Sequence, residues 1–216
     1  MSAVVSAGED LALIDAGGAN LGSVRYALAR LGVQPRLVRD ADELGDPARV
    51  ILPGVGAAGA AMRLLRERGL ADALRASEAP LLGICLGMQL LFESSEEGDV
   101  ECLGLIPGRV LRMSGGPGLR VPHMGWNRLE WRALASDGAT DDARGVLFDG
   151  IDDGAHAYFV HGYAVPVLGC TVAACTHGQS FSAVVAQGRR YGMQFHPERS
   201  SQVGLRLLEN FLKVPA

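Results

Sequence analysis

The sequence predicts an α/β fold: an open, mixed, mostly parallel sheet flanked by helices, with an antiparallel strand extension in its second half. Two observations carry this expectation. Through the first half, short apolar runs bounded by Gly, Pro and Asp alternate with helical patterns, which is the rhythm of βαβ units. Through the second half, strand-like runs follow one another with only turns between them. A third observation sets the number of domains. The chain has 216 residues, 48% hydrophobic and 20% charged, enough for one core, and no repeat, low-complexity tract or linker divides it. Residues 1–216 are therefore expected to form a single domain, with residues 1–9 a short or poorly ordered extension.

Leu11–Ile14 is the first expected strand. A helix follows over residues 23–31, where Val24, Leu28 and Leu31 share one face and Gly32 supplies the positive φ that often ends a helix. Strands are expected at Arg36–Val38 and 49–52, helices at 57–68 and 72–76, a strand at 81–84 and a helix at 86–93. The runs 50–52 and 81–84 are apolar throughout, as in parallel strands covered on both faces. Beyond them, strands are expected at 109–113, 127–131, 146–148, 155–163, 170–175, 181–186 and 191–195, then a closing helix at Ser201–Leu212. The polar segment 133–144 reads as an exposed loop with Asp137, Asp141 and Asp142 in solvent.

A formal net charge of −4 and a pI near 5.7 supply no broad attraction for nucleic acid or an anionic membrane. No stretch approaches the roughly 20 apolar residues that cross a bilayer, and residues 1–9 lack a signal peptide's pattern, so a cytoplasmic address is expected. Cys85, Cys102, Cys170 and Cys175 show no C-x-x-C spacing, so neither disulfides, a metal nor a cofactor is expected.

Gly83-Ile84-Cys85-Leu86-Gly87 sets a cysteine between two glycines at the switch from an apolar strand to a helix. That is the G-x-nucleophile-x-G elbow with sulfur as the nucleophile. The turn strains the nucleophile's backbone and needs bare neighbours two residues away. It also places the thiol at a helix start, where the thiolate is favoured and the N–H of Leu86 can receive an oxyanion. With 29 glycines in the chain, two flanking glycines alone are weak evidence. A second signal lies near the other end, where the strand 191–195 runs into His196-Pro197-Glu198. In an extended segment residues i and i+2 share a side, so Glu198 can orient His196, and Pro197 is expected to hold that extended register. In a parallel α/β sheet both Cys85 and His196 then lie at carboxyl ends of strands, where reactive groups gather.

Cys85 within Gly-Ile-Cys-Leu-Gly-Met-Gln, together with Phe195-His-Pro-Glu198, resembles the class I, triad-type glutamine amidotransferases. Asp15-Ala-Gly-Gly-Ala-Asn20, Pro53-Gly-Val-Gly56, Leu91-Phe-Glu-Ser-Ser-Glu-Glu-Gly98, Gly104-Leu-Ile-Pro107, Pro122-His-Met-Gly-Trp-Asn127 and Tyr158-Phe-Val-His161 narrow the likeness. Together they resemble the glutaminase subunits of imidazole glycerol phosphate synthases, over about residues 11–213. The resemblance implies a flavodoxin-like sheet and hydrolysis of glutamine by Cys85, His196 and Glu198. Leu86 and Val55 would be the oxyanion donors, the latter from the loop carrying Gly54 and Gly56. It implies substrate contacts from Gly54, Gly56, Gln89, Glu97, His161, Gly162 and Tyr163. It also implies a (β/α)₈ cyclase partner that receives the ammonia in histidine biosynthesis, meeting this chain at Asn20, His123, Met124, Trp126 and Asn127.

As plain residues, Gln89 is equally a helix side chain, Glu97 a solvated acid, His161 a structural hydrogen-bonding group, and the stretch 122–127 an apolar strand edge. Ala19 stands where the family's first loop commonly carries a second glycine, and Gly162 where a Ser or Thr commonly follows the histidine. Other class I amidotransferases, such as those serving anthranilate or pyridoxal phosphate synthesis, remain alternatives. So do a cysteine peptidase and a binding module with a relic triad. The stretch 122–127 separates the first of these from the favoured assignment.

Overall fold

The computed structural model describes residues 10–17, 20–132 and 145–216. Ala19 and the expected loop at 133–144, with Asp137, Asp141 and Asp142, lie outside the described residues, as do residues 1–9. In chain order the first half holds β1 (Leu11–Ile14), α1 (Leu21–Arg30), β2 (Arg36–Val38), α2 (Ala41–Leu44), β3 (Arg49–Gly54), α3 (Ala58–Glu67), α4 (Leu70–Ala76), β4 (Leu81–Cys85) and α5 (Leu86–Leu90). The second half holds β5 (Ser94–Ser95), β6 (Val100–Glu101), β7 (Arg109–Arg112), β8 (His123–Arg128), β9 (Glu130–Trp131), β10 (His156–His161), β11 (Tyr163–Ala164), β12 (Thr171–His177), β13 (Gln179–Gln187), β14 (Arg190–Met193) and α6 (Ser201–Leu212).

The main sheet has eight strands in the order β2-β1-β3-β4-β14-β13-β12-β9. From β2 to β14 all neighbours are parallel, and from β14 to β9 all are antiparallel. Alternation along β1 shows how helices cover both faces. Leu11 and Leu13 join a core with Leu207 and Phe211 of α6, whereas Ala12 and Ile14 join another with Met62 and Leu65 of α3. β8 and β10 form a separate antiparallel pair, and β11, β7, β5 and β6 a small third sheet.

The expected strand at 146–148 is corrected: residues 145–147 are a helical turn. A short apolar run does not distinguish a buried strand from a buried turn, and Leu147 and Phe148 are buried either way. The carbonyls of Leu147 and Asp149 each accept a 2.9 Å bond from Nδ2 of Asn210 on α6, so the turn needs no strand partner. The expected helix at 86–93 ends at Leu90, and the expected strand at 127–131 divides into β8 and β9. Unforeseen α2 is capped by Asp40, whose side chain accepts the Glu43 N–H at 2.9 Å.

Three parallel neighbours position the site. Register pairs Gly54, the last residue of β3, with Cys85, the last of β4. On the other side Met193, the last of β14, pairs with Ile84, so His196 emerges beside Cys85 three residues later.

Candidate active site

Cys85 has φ 54° and ψ −110°, a strained conformation for a residue with a Cβ, and α5 starts at the next residue. The close approach behind it explains the following glycine. A Cβ on Gly87 would lie 1.8 Å from the Leu52 carbonyl oxygen of β3. The elbow thus forms because helix and strand touch through bare backbone, which puts the Leu86 N–H at the first position of α5 beside the sulfur.

His196 is extended, at φ −98° and ψ 96°, but Pro197–Arg199 is a 3₁₀ turn rather than the extended register expected from Pro197. Proline is well suited to the first position of a helical turn, since it has no N–H to satisfy. Arg199 N–H closes the turn on the His196 carbonyl, and the Ser200 hydroxyl donates to the same carbonyl at 2.7 Å while accepting Tyr158 N–H of β10. Within this frame His196 Nδ1 lies 2.8 Å from Glu198 Oε1, so the pairing survives the corrected backbone.

Burial by itself pushes the His196 pKa down, but hydrogen bonds to the Cys85 thiol and to Glu198, with their charges, outweigh it and raise it to about 10. Burial pushes Glu198 up, and the same imidazole overcomes this and holds the carboxyl below its usual value, helped by Asn20. The arrangement is a thiol, an imidazole that favours its protonated form and a buried carboxylate, in sequence: a nucleophile and a proton carrier.

Asn20 is the residue the sequence placed elsewhere. It occupies the N-cap of α1 without making a side-chain cap bond, and its Nδ2 instead donates to Glu198 Oε1 at 2.5 Å and lies 3.4 Å from His196 Nδ1. Its side chain is committed to the His196–Glu198 pair. On β8 the strand alternates: Met124 and Trp126 are 67% and 53% exposed, whereas His123 is buried and Asn127 turns inward. Asn20, Val55, Val160 and His196, with Ser23 and Arg199, line a cavity of about 270 Å³.

Gln89 is buried, and its Nε2 donates to the Tyr163 carbonyl at 2.8 Å and to Gln194 Oε1 at 3.0 Å. A carbonyl only accepts, so the Gln89 amide orientation is fixed and its own oxygen is left for a donor. His161 Nδ1 donates to the same Tyr163 carbonyl at 2.9 Å, and its Nε2 lies 3.2 Å from His123 Nδ1. Burial, offset only in part by that bond and reinforced by neighbouring histidines, lowers the His161 pKa to about 3, so it stays neutral and structural. Glu97 Oε2 accepts the Ala58 N–H at 2.8 Å and thereby caps α3 next to the Pro53–Gly56 loop. A Cβ on Gly162 would meet only Val121 Cγ1, at 3.8 Å, so the family's usual hydroxyl residue has room there. Gln194, wholly buried with Nε2 3.9 Å from Cys85 Sγ, went unnoticed because in the sequence it is one more residue of a strand. Among the described residues no group of three His, Cys, Asp or Glu is arranged to hold a metal.

Residues 12–214 match the family Glutamine amidotransferase class-I. The imidazole glycerol phosphate synthase subunit HisH of Xanthomonas axonopodis pv. citri is 62% identical over 205 residues, covering 95% of this chain and 98% of that protein. The same-named subunit of Xylella fastidiosa is 60% identical over 208 residues, covering 96% and 98%. Among solved structures, a glutamine amidotransferase superposes with TM-score 0.70 at 24% identity, covering 94% of this chain and 97% of that one. Another, from Thermotoga maritima, does so with TM-score 0.58 at 18% identity, covering 94% and 83%; these two likenesses speak to fold. A match across nearly the whole chain, coinciding with a strained cysteine beside a His–Glu pair, makes this chain a member of the class-I glutamine amidotransferase family.

Proposed function

We propose that this chain hydrolyses glutamine to glutamate and ammonia and delivers the ammonia to a (β/α)₈ cyclase. The cyclase uses it to make imidazole glycerol phosphate and aminoimidazole carboxamide ribotide in histidine biosynthesis. The observation that carries the reading is the placing of Cys85 and His196 at the ends of the neighbouring strands β4 and β14, with His196 Nδ1 2.8 Å from Glu198 Oε1. Cys85 thiolate attacks the γ-carboxamide carbon. His196, protonated, gives its proton to the departing ammonia and then takes one from the water that cleaves the thioester. Glu198 holds the imidazolium. The N–H groups of Leu86 and Val55 receive the oxyanion. The free oxygen of Gln89 and the carboxylate of Glu97 suit the substrate's ammonium, with Tyr163 and the Gly54–Gly56 loop closing the pocket.

The cyclase docks on the face that exposes Met124 and Trp126, an apolar pair of the kind that anchors partners. Relatives about 60% identical carry the subunit name that supports this pairing. A cytoplasmic address fits a biosynthetic pair, and among the described residues no helix is long and apolar enough to cross a membrane. The test is glutamate release and ammonia transfer with and without the cyclase. Cyclase plus its own substrate should raise glutamate release and match it with product, and Cys85→Ser should lower both by about a thousandfold or more. Equal glutamate release with and without the cyclase would sink the coupling, and an active Cys85→Ser enzyme would sink the nucleophile.

A further inference from the structure

We propose that the side-chain amide of Gln194 is a positioning residue for the reaction, holding Cys85 Sγ in its attacking place and favouring its thiolate through an N–H···S contact. The proposal rests on Cys85 being the nucleophile. Two neighbours of opposite character face the sulfur. Val160 of β10 presents a carbonyl oxygen at 3.8 Å, which suits an S–H, and Gln194 presents Nε2 at 3.9 Å, which suits a negatively charged sulfur. Ionisation turns the first contact from favourable to repulsive and strengthens the second.

Gln194 can serve this way only if its amide is prevented from turning over, and the surrounding bonds prevent it. The Tyr163 carbonyl, which cannot donate, fixes Gln89 Nε2 as a donor at 2.8 Å. The other hydrogen of that nitrogen meets Gln194 Oε1 at 3.0 Å. Reversing the Gln194 amide would set two NH₂ groups against each other inside the protein, where an unmatched donor costs about 1–3 kcal/mol in general. The Tyr163 carbonyl is itself held by His161 Nδ1 at 2.9 Å, and His161 in turn meets His123, so the chain that orients Gln194 is anchored on two strands, β10 and β8. Gln194 is wholly buried, so no water competes for the sulfur from its side. The titratable groups around the sulfur are His196, whose charge interacts with it, Glu198 behind His196, and His161, which feels the charge of His196.

The test compares the wild-type enzyme, Gln194→Met and Gln194→Glu in the full complex with the cyclase, by alkylation of Cys85 across pH and by steady-state glutaminase kinetics. Gln194→Met keeps the volume and removes the donor. The midpoint of Cys85 alkylation should rise by about one pH unit, a tenfold change in the ionisation equilibrium. kcat should fall about tenfold with KM within about twofold, because the lost contact matters at the sulfur and not at the substrate. Gln194→Glu still accepts from Gln89 but faces the sulfur with a carboxylate, so its midpoint should rise further. In the wild-type protein, which needs no variant to fold, the Gln194 side-chain amide resonances should titrate together with Cys85. An unchanged alkylation midpoint in either folded variant, or amide resonances that stay fixed while Cys85 ionises, overturns the proposal. Failure of the nucleophile reading looks different: alkylation of wild-type Cys85 would then leave glutaminase activity intact.

Discussion

At the residue scale, the structure ties Asn20, expected from the sequence only at a partner interface, to the His196–Glu198 pair, although it stands at the N-cap of α1. Capping α1 is worth roughly 1 kcal/mol, yet the side chain instead donates to Glu198 at 2.5 Å. A hydrogen bond to a charged group contributes about 1.5–3 kcal/mol. If that contact matters most when His196 is an imidazolium, Asn20→Ala should lower kcat about ten- to hundredfold. The fold should change little, since α1 already lacks the cap bond. Asn20→Asp should do worse, because it sets a second carboxylate against Glu198; steady-state kinetics of both variants, with unchanged circular dichroism, checks the point. Wild-type kcat in both would remove Asn20 from the machinery. The strained turn at Cys85 and the His196–Glu198 pair were legible, since Gly-x-Cys-x-Gly and His-Pro-Glu are local patterns. Asn20 and Gln194 were not, because their roles arise from contacts with Glu198 and Cys85, each more than 100 residues away in sequence.

At the scale of elements, strand ends and helix starts are set by contacts that tolerate no side chain. Gly87→Ala would drive a Cβ to 1.8 Å from the Leu52 oxygen, and Gly204→Ala one to 2.0 Å from the Pro197 oxygen. In both the opposing atom is backbone and cannot swing away. Each should cost more than about 4 kcal/mol or prevent folding, read as the shift of a urea midpoint or as loss of soluble protein. Gly162→Ser, by contrast, finds only Val121 Cγ1 at 3.8 Å and should leave the midpoint within about 0.5 kcal/mol. Stability of Gly87→Ala close to wild type would mean that α5 does not pack on β3 as described. The elements themselves were largely legible, with Leu11–Ile14, Arg36–Val38 and Ser201–Leu212 matching residue for residue. What escaped were short pieces whose form depends on neighbours. Residues 146–148 read as strand from their apolar run, but residues 145–147 form a turn, and α6 supplies Asn210 to satisfy the carbonyls of Leu147 and Asp149.

Across the whole molecule, the parallel half was legible because its central strands β1, β3 and β4 are buried on both faces. The separate β8–β10 pair was not, since nothing local tells a strand which sheet to join. That pair holds the histidine cluster, which gives the chain a defined response to acid. Burial, and then the charge of His177, lowers the His123 pKa to about 4, and burial above all lowers that of His161 to about 3. The ordinary value, which the unfolded chain recovers, is 6.5. Folded-state pKa values below the unfolded one mean that the unfolded chain binds protons first as pH falls. The stabilisation from neutral burial is therefore complete above pH 6.5 and is lost below it, continuing down toward about 4 and 3. The slope reaches at most about 1.4 kcal/mol per pH unit for each histidine. His196 runs the other way: raised to about 10, its contribution is complete below 6.5 and lost as pH rises toward 10, so it gives no relief on the acid side. Urea midpoints of the wild type should thus fall between about pH 6.5 and 4.5. His123→Phe keeps an aromatic ring against Phe159, whose centroid lies 5.0 Å away, but removes one proton-binding group. Whatever its stability at neutral pH, this variant should lose less per pH unit on acidification, by up to the slope of one histidine. If wild type and variant fall in parallel over that range, the acid response comes from other groups and not from the cluster.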